Sequence, residues 1–288
     1  MKKIIACLFF AGFLGFCNAQ HSSIHYRKIN GLSIAYQQAG SGPALVLLHG
    51  LIQDSRVWRN QLDSLSQNFT VIAWDAPGAG LSADPPDNYN IGDWADCLAQ
   101  LLDSVNIKQA HILGLSWGGF LAQEFYHRYP RKVLSIILAN TTTGWKSISD
   151  SAAIAMLDAC RKDAALPGKD FISKYLPGMF SDSVLQEVKE EHASIMTGYH
   201  PSGFQLMAAT LAKTDLSAFL GDIKVPVLVI WGEADKRIPI VAAYQFLNEI
   251  PGAKLEIISR AGHVSNMEKP MEFNRIVKDF CSSISTNR

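Results

Sequence analysis

Apolar and polar positions alternate along this chain in two rhythms. Short β-rich runs recur at Ala44–Leu48, Val71–Trp74, Ala110–Leu115, Val133–Ala139, Val227–Trp231 and Lys254–Ile258. Most are nearly continuous in apolar character, as strands buried on both faces require. Helical patterns fill the gaps: Asp54–Ser66, Ile91–Val105, Phe120–Tyr129, Ile240–Ile250 and Glu268–Ser283. On the third of these, Leu121, Phe125 and Tyr129 share one i, i+4 stripe. Ahead of them, His25–Lys28 and Leu32–Gln38 flank Asn30-Gly31, which predicts a hairpin. Strand and helix in alternation predict an α/β fold: a mostly parallel sheet with helices on both faces.

The alternation stops between Gly144 and about Leu216. That interval reads as helices only, at Ser149–Ala165, Asp170–Tyr175, Ser183–Thr197 and Phe204–Lys213, punctuated by Pro167, Pro177 and Pro201. An insertion entered from the C-terminal end of a strand is well placed to cover a site there. The expected organisation is a first core part over 20–143, a helical cap over 144–216 and a second core part over 217–288. Trp145, Met179 and Tyr199 of the cap are candidate substrate contacts, with His49 and Val264 on the core side. Packing of cap on core accounts for the cap aromatics and methionines equally well.

Composition narrows the function. The chain has 288 residues, 48% of them apolar and 18% charged, enough to bury a large core. Its 26 basic and 26 acidic residues cancel, which removes the electrostatic case for a nucleic-acid partner. Lys2 and Lys3, the apolar run Ile4–Phe16 and Cys17-Asn18-Ala19 have the layout of a secretory signal peptide over residues 1–19. The run is shorter than the roughly 20 residues a membrane span needs. Cleavage after Ala19 predicts an exported, periplasmic or secreted protein; lipid anchoring at Cys17 is the lesser alternative. Cys97, Cys160 and Cys281 would then remain, and an odd number is not a disulfide framework.

Open parallel sheets bind ligands beyond the carboxyl ends of their strands. Those ends carry His49-Gly50-Leu51, Asp75-Ala76-Pro77-Gly78-Ala79-Gly80, Gly114-Leu115-Ser116-Trp117-Gly118, Gly232-Glu233-Ala234-Asp235 and Ala261-Gly262-His263. Gly114-x-Ser116-x-Gly118 is the nucleophile-elbow pattern, and here it has a strand before it and a helix after it. The sharp turn brings neighbouring residues together, so bulkier side chains at the two flanking positions would collide. A serine needs a base, and the base an orienting acid. His263 is the expected base and Asp235 the expected acid, with Glu233 as rival acid and His49 as rival base. The amides of Leu51 and Trp117 are the expected oxyanion-hole donors. No cofactor or metal is expected. Gly78-x-Gly80-x-x-Ala83 loosely matches a dinucleotide fingerprint, but Asp84-Pro85-Pro86-Asp87 bars the helix it needs. Neither a CxxC pair nor an HExxH helix occurs.

In this order, His49-Gly50, Asp75-x-Pro77-Gly78-x-Gly80-x-Ser82, Gly114-x-Ser116-x-Gly118-Gly119, Asp235 and Gly262-His263 resemble the α/β-hydrolase fold superfamily over roughly Tyr26 to Ile284. The resemblance implies eight strands, a cap after the sixth and a Ser/Asp/His triad. Serine at the nucleophile position disfavours the haloalkane dehalogenase and epoxide hydrolase branches. The tail His263–Pro270, continuing to Phe273-Asn274, is similar to the 3-oxoadipate enol-lactonase group. Ser116-Trp117-Gly118-Gly119 has tryptophan where that group carries methionine, and is closer to some medium-chain polyester depolymerases and proline iminopeptidases. The expected activity is hydrolysis of a small-molecule ester or lactone by the triad. Carbon–carbon bond hydrolysis and an aminopeptidase anchored by Glu187, Glu190 or Glu191 are alternatives. A binding protein on a hydrolase scaffold is a different class.

Overall fold

The computed structural model describes residues 23–285. The expected signal peptide and the alternative lipid attachment at Cys17 lie outside the described residues. Strands β1 (Ser23–Ile29) and β2 (Leu32–Ala39) form the hairpin, with Asn30 and Gly31 both at positive φ. Next come β3 (Ala44–Leu48), α1 (Arg59–Leu65), β4 (Thr70–Trp74), α2 (Ile91–Ser104), β5 (Ala110–Leu115), α3 (Trp117–Arg128) and β6 (Val133–Ala139). Four helices follow: α4 (Asp150–Asp163), α5 (Gly168–Tyr175), α6 (Gln186–Met196) and α7 (Pro201–Lys213). The core resumes with β7 (Val227–Gly232), α8 (Val241–Glu249), β8 (Lys254–Ile258), α9 (Ser265–Glu268) and α10 (Pro270–Ser285).

All eight strands join one sheet in the order β1-β2-β4-β3-β5-β6-β7-β8. β1–β2 and β2–β4 are antiparallel, and every pairing from β4 to β8 is parallel. The central strands β3, β5 and β7 are buried along their whole length, which explains their unbroken apolar runs. Edge strand β8 is mostly exposed, hence its interspersed Lys254 and Glu256. One apolar cluster fills each face of the sheet: Trp94, Phe125, Trp117 and Phe246 belong to one, Trp58, Phe69, Phe273 and Val277 to the other.

Several helix boundaries differ from expectation, among them the starts of α6 and α7, and three of the differences have plain local reasons. The Asp54–Ser66 pattern starts as a 3-10 turn capped by the Asp54 side chain, then becomes α1. The last helix divides at Lys269, because Pro270 cannot donate a backbone hydrogen bond. Helix α3 begins at Trp117, not Phe120. Gly118 and Gly119 are poor helix formers, but packing around them leaves no room for side chains. None of the helices of the described residues is long and apolar enough to cross a membrane. Cys97, Cys160 and Cys281 are all buried.

Candidate active site

Between the end of β5 and the start of α3 stands one residue, Ser116. Its φ of 55° and ψ of −120° place it on the left-handed side of backbone space, where side chains are disfavoured. The surrounding packing enforces this turn. A Cβ on Gly114 would sit 2.2 Å from the Gly118 carbonyl oxygen, and one on Gly118 would sit 2.0 Å from that of Leu48. The Ser116 amide donates to the Ala139 carbonyl (2.9 Å), and the Ser116 carbonyl accepts from Thr141 Oγ1 (2.6 Å). Trp117 is the first residue of α3, so its N–H has no carbonyl partner within the helix. Gly50 lies against the same turn: a Cβ there would be 3.4 Å from Ser116 Cβ. Leu51 is thereby brought beside the elbow.

Asp235 follows β7 by three residues, and its side chain is 1% exposed. Oδ1 accepts from the amides of Arg237 (2.7 Å) and Ile238 (3.1 Å). Oδ2 accepts from Asn140 Nδ2 (2.8 Å) and is 2.9 Å from His263 Nδ1. Burial pushes this carboxyl upward. The His263 charge and hydrogen bond, the Arg237 amide and Asn140 together outweigh burial, so its pKa lies below the ordinary value. Asp235 is therefore ionised near neutral pH. With Nδ1 turned to Asp235, His263 has Nε2 free for other contacts. His263 and Ser116 line one cavity of about 350 Å³, together with Gly50, Leu51 and Trp117. Trp145, Met156, Met179, Phe204 and Leu211 supply apolar walls.

Residues 43–166 and 202–270 match the family model of the alpha/beta hydrolase fold. The chain belongs to the α/β-hydrolase fold family. It is 31% identical to a 2-hydroxy-6-oxononadienedioate/2-hydroxy-6-oxononatrienedioate hydrolase of Burkholderia vietnamiensis, over 86% of this chain and 91% of that one. It is 30% identical to 3-oxoadipate enol-lactonase 2 of Acinetobacter baylyi, over 82% and 87% of the two chains. In fold it is similar to a thermophilic esterase from Thermogutta terrifontis, with a TM-score of 0.84, 23% identity, and coverage of 91% of this chain and 99% of that one.

Within this α/β-hydrolase, the other candidate positions divide sharply. Trp145 and Met179 line the cavity; His49, Tyr199 and Val264 do not. His49 is fully buried and fastens loops: Nδ1 bonds the Gly50 carbonyl (2.7 Å) and Nε2 accepts from the Ala76 amide (3.0 Å). Burial holds its pKa down. Tyr199 stacks on Phe171 at 4.0 Å between centroids, and Val264 is packed in the core. The Trp117 indole is also buried; it donates to Thr210 Oγ1 (3.1 Å) and meets Trp94 edge-on. Of the expected amine anchors, Glu191 pairs with Arg59 (2.8 Å), Glu190 accepts from Gln186 (3.0 Å), and none of the three glutamates lines the cavity. The rival acid Glu233 binds Ser259 Oγ and the Arg260 amide instead of a histidine. Asp75 accepts from the Ser55 and Leu81 amides, and Ser82 bridges the Asp75 carbonyl to the Ala35 amide. The glycine-rich segment between them is a structural turn. Among the described residues no group of three or more His, Cys, Asp or Glu side chains is placed to hold a metal ion.

Three contributors to the site have no signature in the sequence patterns. Asn140 binds Asp235 and accepts from Ser265 Oγ (3.1 Å). It is the residue after β6, a strand end like those inspected, so its position was the available clue. Glu268 accepts from the Gly262 amide (2.8 Å), the Ser181 amide (3.1 Å) and the Ser181 hydroxyl, pinning the His263 loop to the insertion. Gln53 accepts from the Gly50 amide (2.9 Å) and reaches His192 Nε2 on α6 (3.0 Å). The two side chains are 139 positions apart in the chain and meet only in the fold.

His192 gives the site an acid limit. Burial, aided by repulsion from the imidazolium form of His263 and from Arg237, lowers its pKa to about 3. Its folded pKa thus lies below the unfolded value of about 6.5, and its stabilising contribution is complete above that unfolded value. It is lost as pH falls from about 6.5 toward 3. Between pH 7.5 and pH 5 the wild type should lose about 2 kcal/mol more stability than His192→Gln, measured by urea unfolding. Equal losses in both proteins would mean that His192 titrates normally.

Proposed function

We propose that this chain is a serine hydrolase acting on small-molecule carboxylic esters or lactones through an acyl-enzyme. The reading is carried by one observation: a buried, multiply hydrogen-bonded Asp235 holds His263 through Nδ1, while His263 and the strained Ser116 face a common cavity. Ser116 Oγ attacks the carbonyl carbon as His263 Nε2 takes its proton. The developing oxyanion is received by the amides of Leu51 and Trp117. His263 then protonates the departing alkoxide, leaving an ester of Ser116. Water enters, His263 removes its proton, and collapse of the second tetrahedral intermediate frees the acid and Ser116. Asp235 stabilises the imidazolium in both halves and stays ionised. The names of the enol-lactonase and esterase relatives are consistent with this chemistry.

Carbon–carbon bond hydrolysis on the same triad is a second reading, favoured by the similarity to the Burkholderia vietnamiensis hydrolase. The apolar insertion wall would set the choice between them. Residues 1–19 are proposed to direct export. A panel of lactones, esters, peptides and diketones, given to the protein lacking residues 1–19, tests the assignment. Turnover of esters or lactones at least 10-fold above the other classes in kcat/KM is expected. Diketone turnover alone would select the second reading, and ligand-induced thermal stabilisation without any turnover would mark a binding protein.

A further inference from the structure

We propose that Arg237 makes this cavity selective for substrates that carry a free carboxylate remote from the carbonyl under attack. The proposal rests on the hydrolase reading above and deepens it. Arg237 lines the same cavity as Ser116 and His263. Arg56, Arg59, Arg128, Arg161 and Arg275 each pair with a carboxylate within 4.0 Å. The Arg237 guanidinium has no such partner among the described residues, and its packing contact is the Tyr175 ring, 5.1 Å from Cζ to centroid. No aspartate or glutamate lines the cavity. Lys236, the other cation there, is already paired with Asp182 at 2.6 Å.

This guanidinium stands at the exposed rim of the cavity that holds Ser116 and His263. Partial desolvation against the cavity wall lowers its pKa. Arginine nevertheless remains cationic at any working pH. A guanidinium at the exposed rim of an apolar cavity, with no carboxylate within ion-pair distance among the described residues, leaves strong donors unused, and a bidentate carboxylate matches their planar fork. The anchor is also held in register with the chemistry. The Arg237 amide donates to Asp235 Oδ1 at 2.7 Å, so the anchor's backbone is fixed by the carboxylate that orients His263. Apolar side chains such as Met156 and Leu211 suit the carbon chain between the two ends of such a substrate. The same charge repels a substrate ammonium, which disfavours an aminopeptidase.

The test compares monomethyl with dimethyl esters of glutaric and suberic acids, for wild type, Arg237→Met and Arg237→Lys. Wild type should favour the monoester of at least one acid by about 10- to 100-fold in kcat/KM, chiefly through KM, as expected for a charge-assisted pair. Arg237→Met should cut that ratio at least 10-fold, and Arg237→Lys should restore part of it. A wild-type preference for the diesters would overturn the proposal. So would an unchanged ratio in Arg237→Met, or identical behaviour of the methionine and lysine variants. Calorimetric titration of Ser116→Ala with the monoesters, with and without Arg237→Met, reads the anchor without turnover. At least 10-fold weaker binding in the double variant supports the anchor, and equal binding sinks it. If no ester is hydrolysed by the wild type, the hydrolase reading fails while the titration still decides Arg237.

Discussion

Ser116→Ala should lower ester or lactone turnover by about 10⁵- to 10⁶-fold and abolish covalent labelling by a fluorophosphonate. The expected loss is this large because the hydroxyl supplies the bond that defines the acyl-enzyme, and no other lining side chain stands in an elbow turn. Structural damage should be small. Alanine meets the same disfavoured φ of 55° that serine already tolerates, and the turn is held by Gly114, Gly118 and the Ala139 carbonyl, not by Oγ. The variant should therefore melt close to the wild type and still bind substrate. Retained labelling, or turnover within 10-fold of wild type with an unchanged fold, would remove Ser116 as nucleophile.

What the sequence made legible follows a physical division. Strands buried on both faces leave continuous apolar runs, so β3, β5 and β7 stood out, and with them the strand ends carrying Leu51, Ser116 and Asp235. The elbow glycines were legible because close backbone approach permits no alternative: a Cβ on Gly118 would lie 2.0 Å from a carbonyl oxygen. Side-chain direction was not legible. His49 sits at the correct rim, yet both its ring nitrogens are spent on the backbone of neighbouring loops. Tyr199 sits in the insertion, yet it stacks inward on Phe171. Partners that meet across long separations, such as Gln53 with His192, or Glu268 with Ser181, leave no pattern in the chain itself. The Trp117 indole is likewise turned inward, which its place in the motif does not reveal. Its bond to Thr210 shows it tying α3 to α7 from within the core.

Asp235→Asn carries the second large expected effect, and its geometry predicts which half of the machinery fails. The amide is close in shape to the carboxylate, so gross packing is retained. Two backbone N–H groups point at Oδ1, which fixes the amide oxygen there. The amide NH₂ must then take the place of Oδ2, facing His263 Nδ1 and the Asn140 NH₂. His263 can meet a donor only by presenting the Nδ1 lone pair, which moves its proton to Nε2. In that tautomer it cannot accept the Ser116 proton, and the imidazolium loses its counter-charge. Turnover should fall about 10⁴-fold with KM little changed. The two opposed NH₂ groups should also cost about 1–3 kcal/mol of stability. Glu233→Gln is the control, because Glu233 serves Ser259 and Arg260. It should keep kcat within about 3-fold, in line with a substitution remote from the reacting atoms. The decisive comparison is kcat for the two variants at neutral pH: a large loss in Glu233→Gln with wild-type kcat in Asp235→Asn would transfer the orienting role to Glu233.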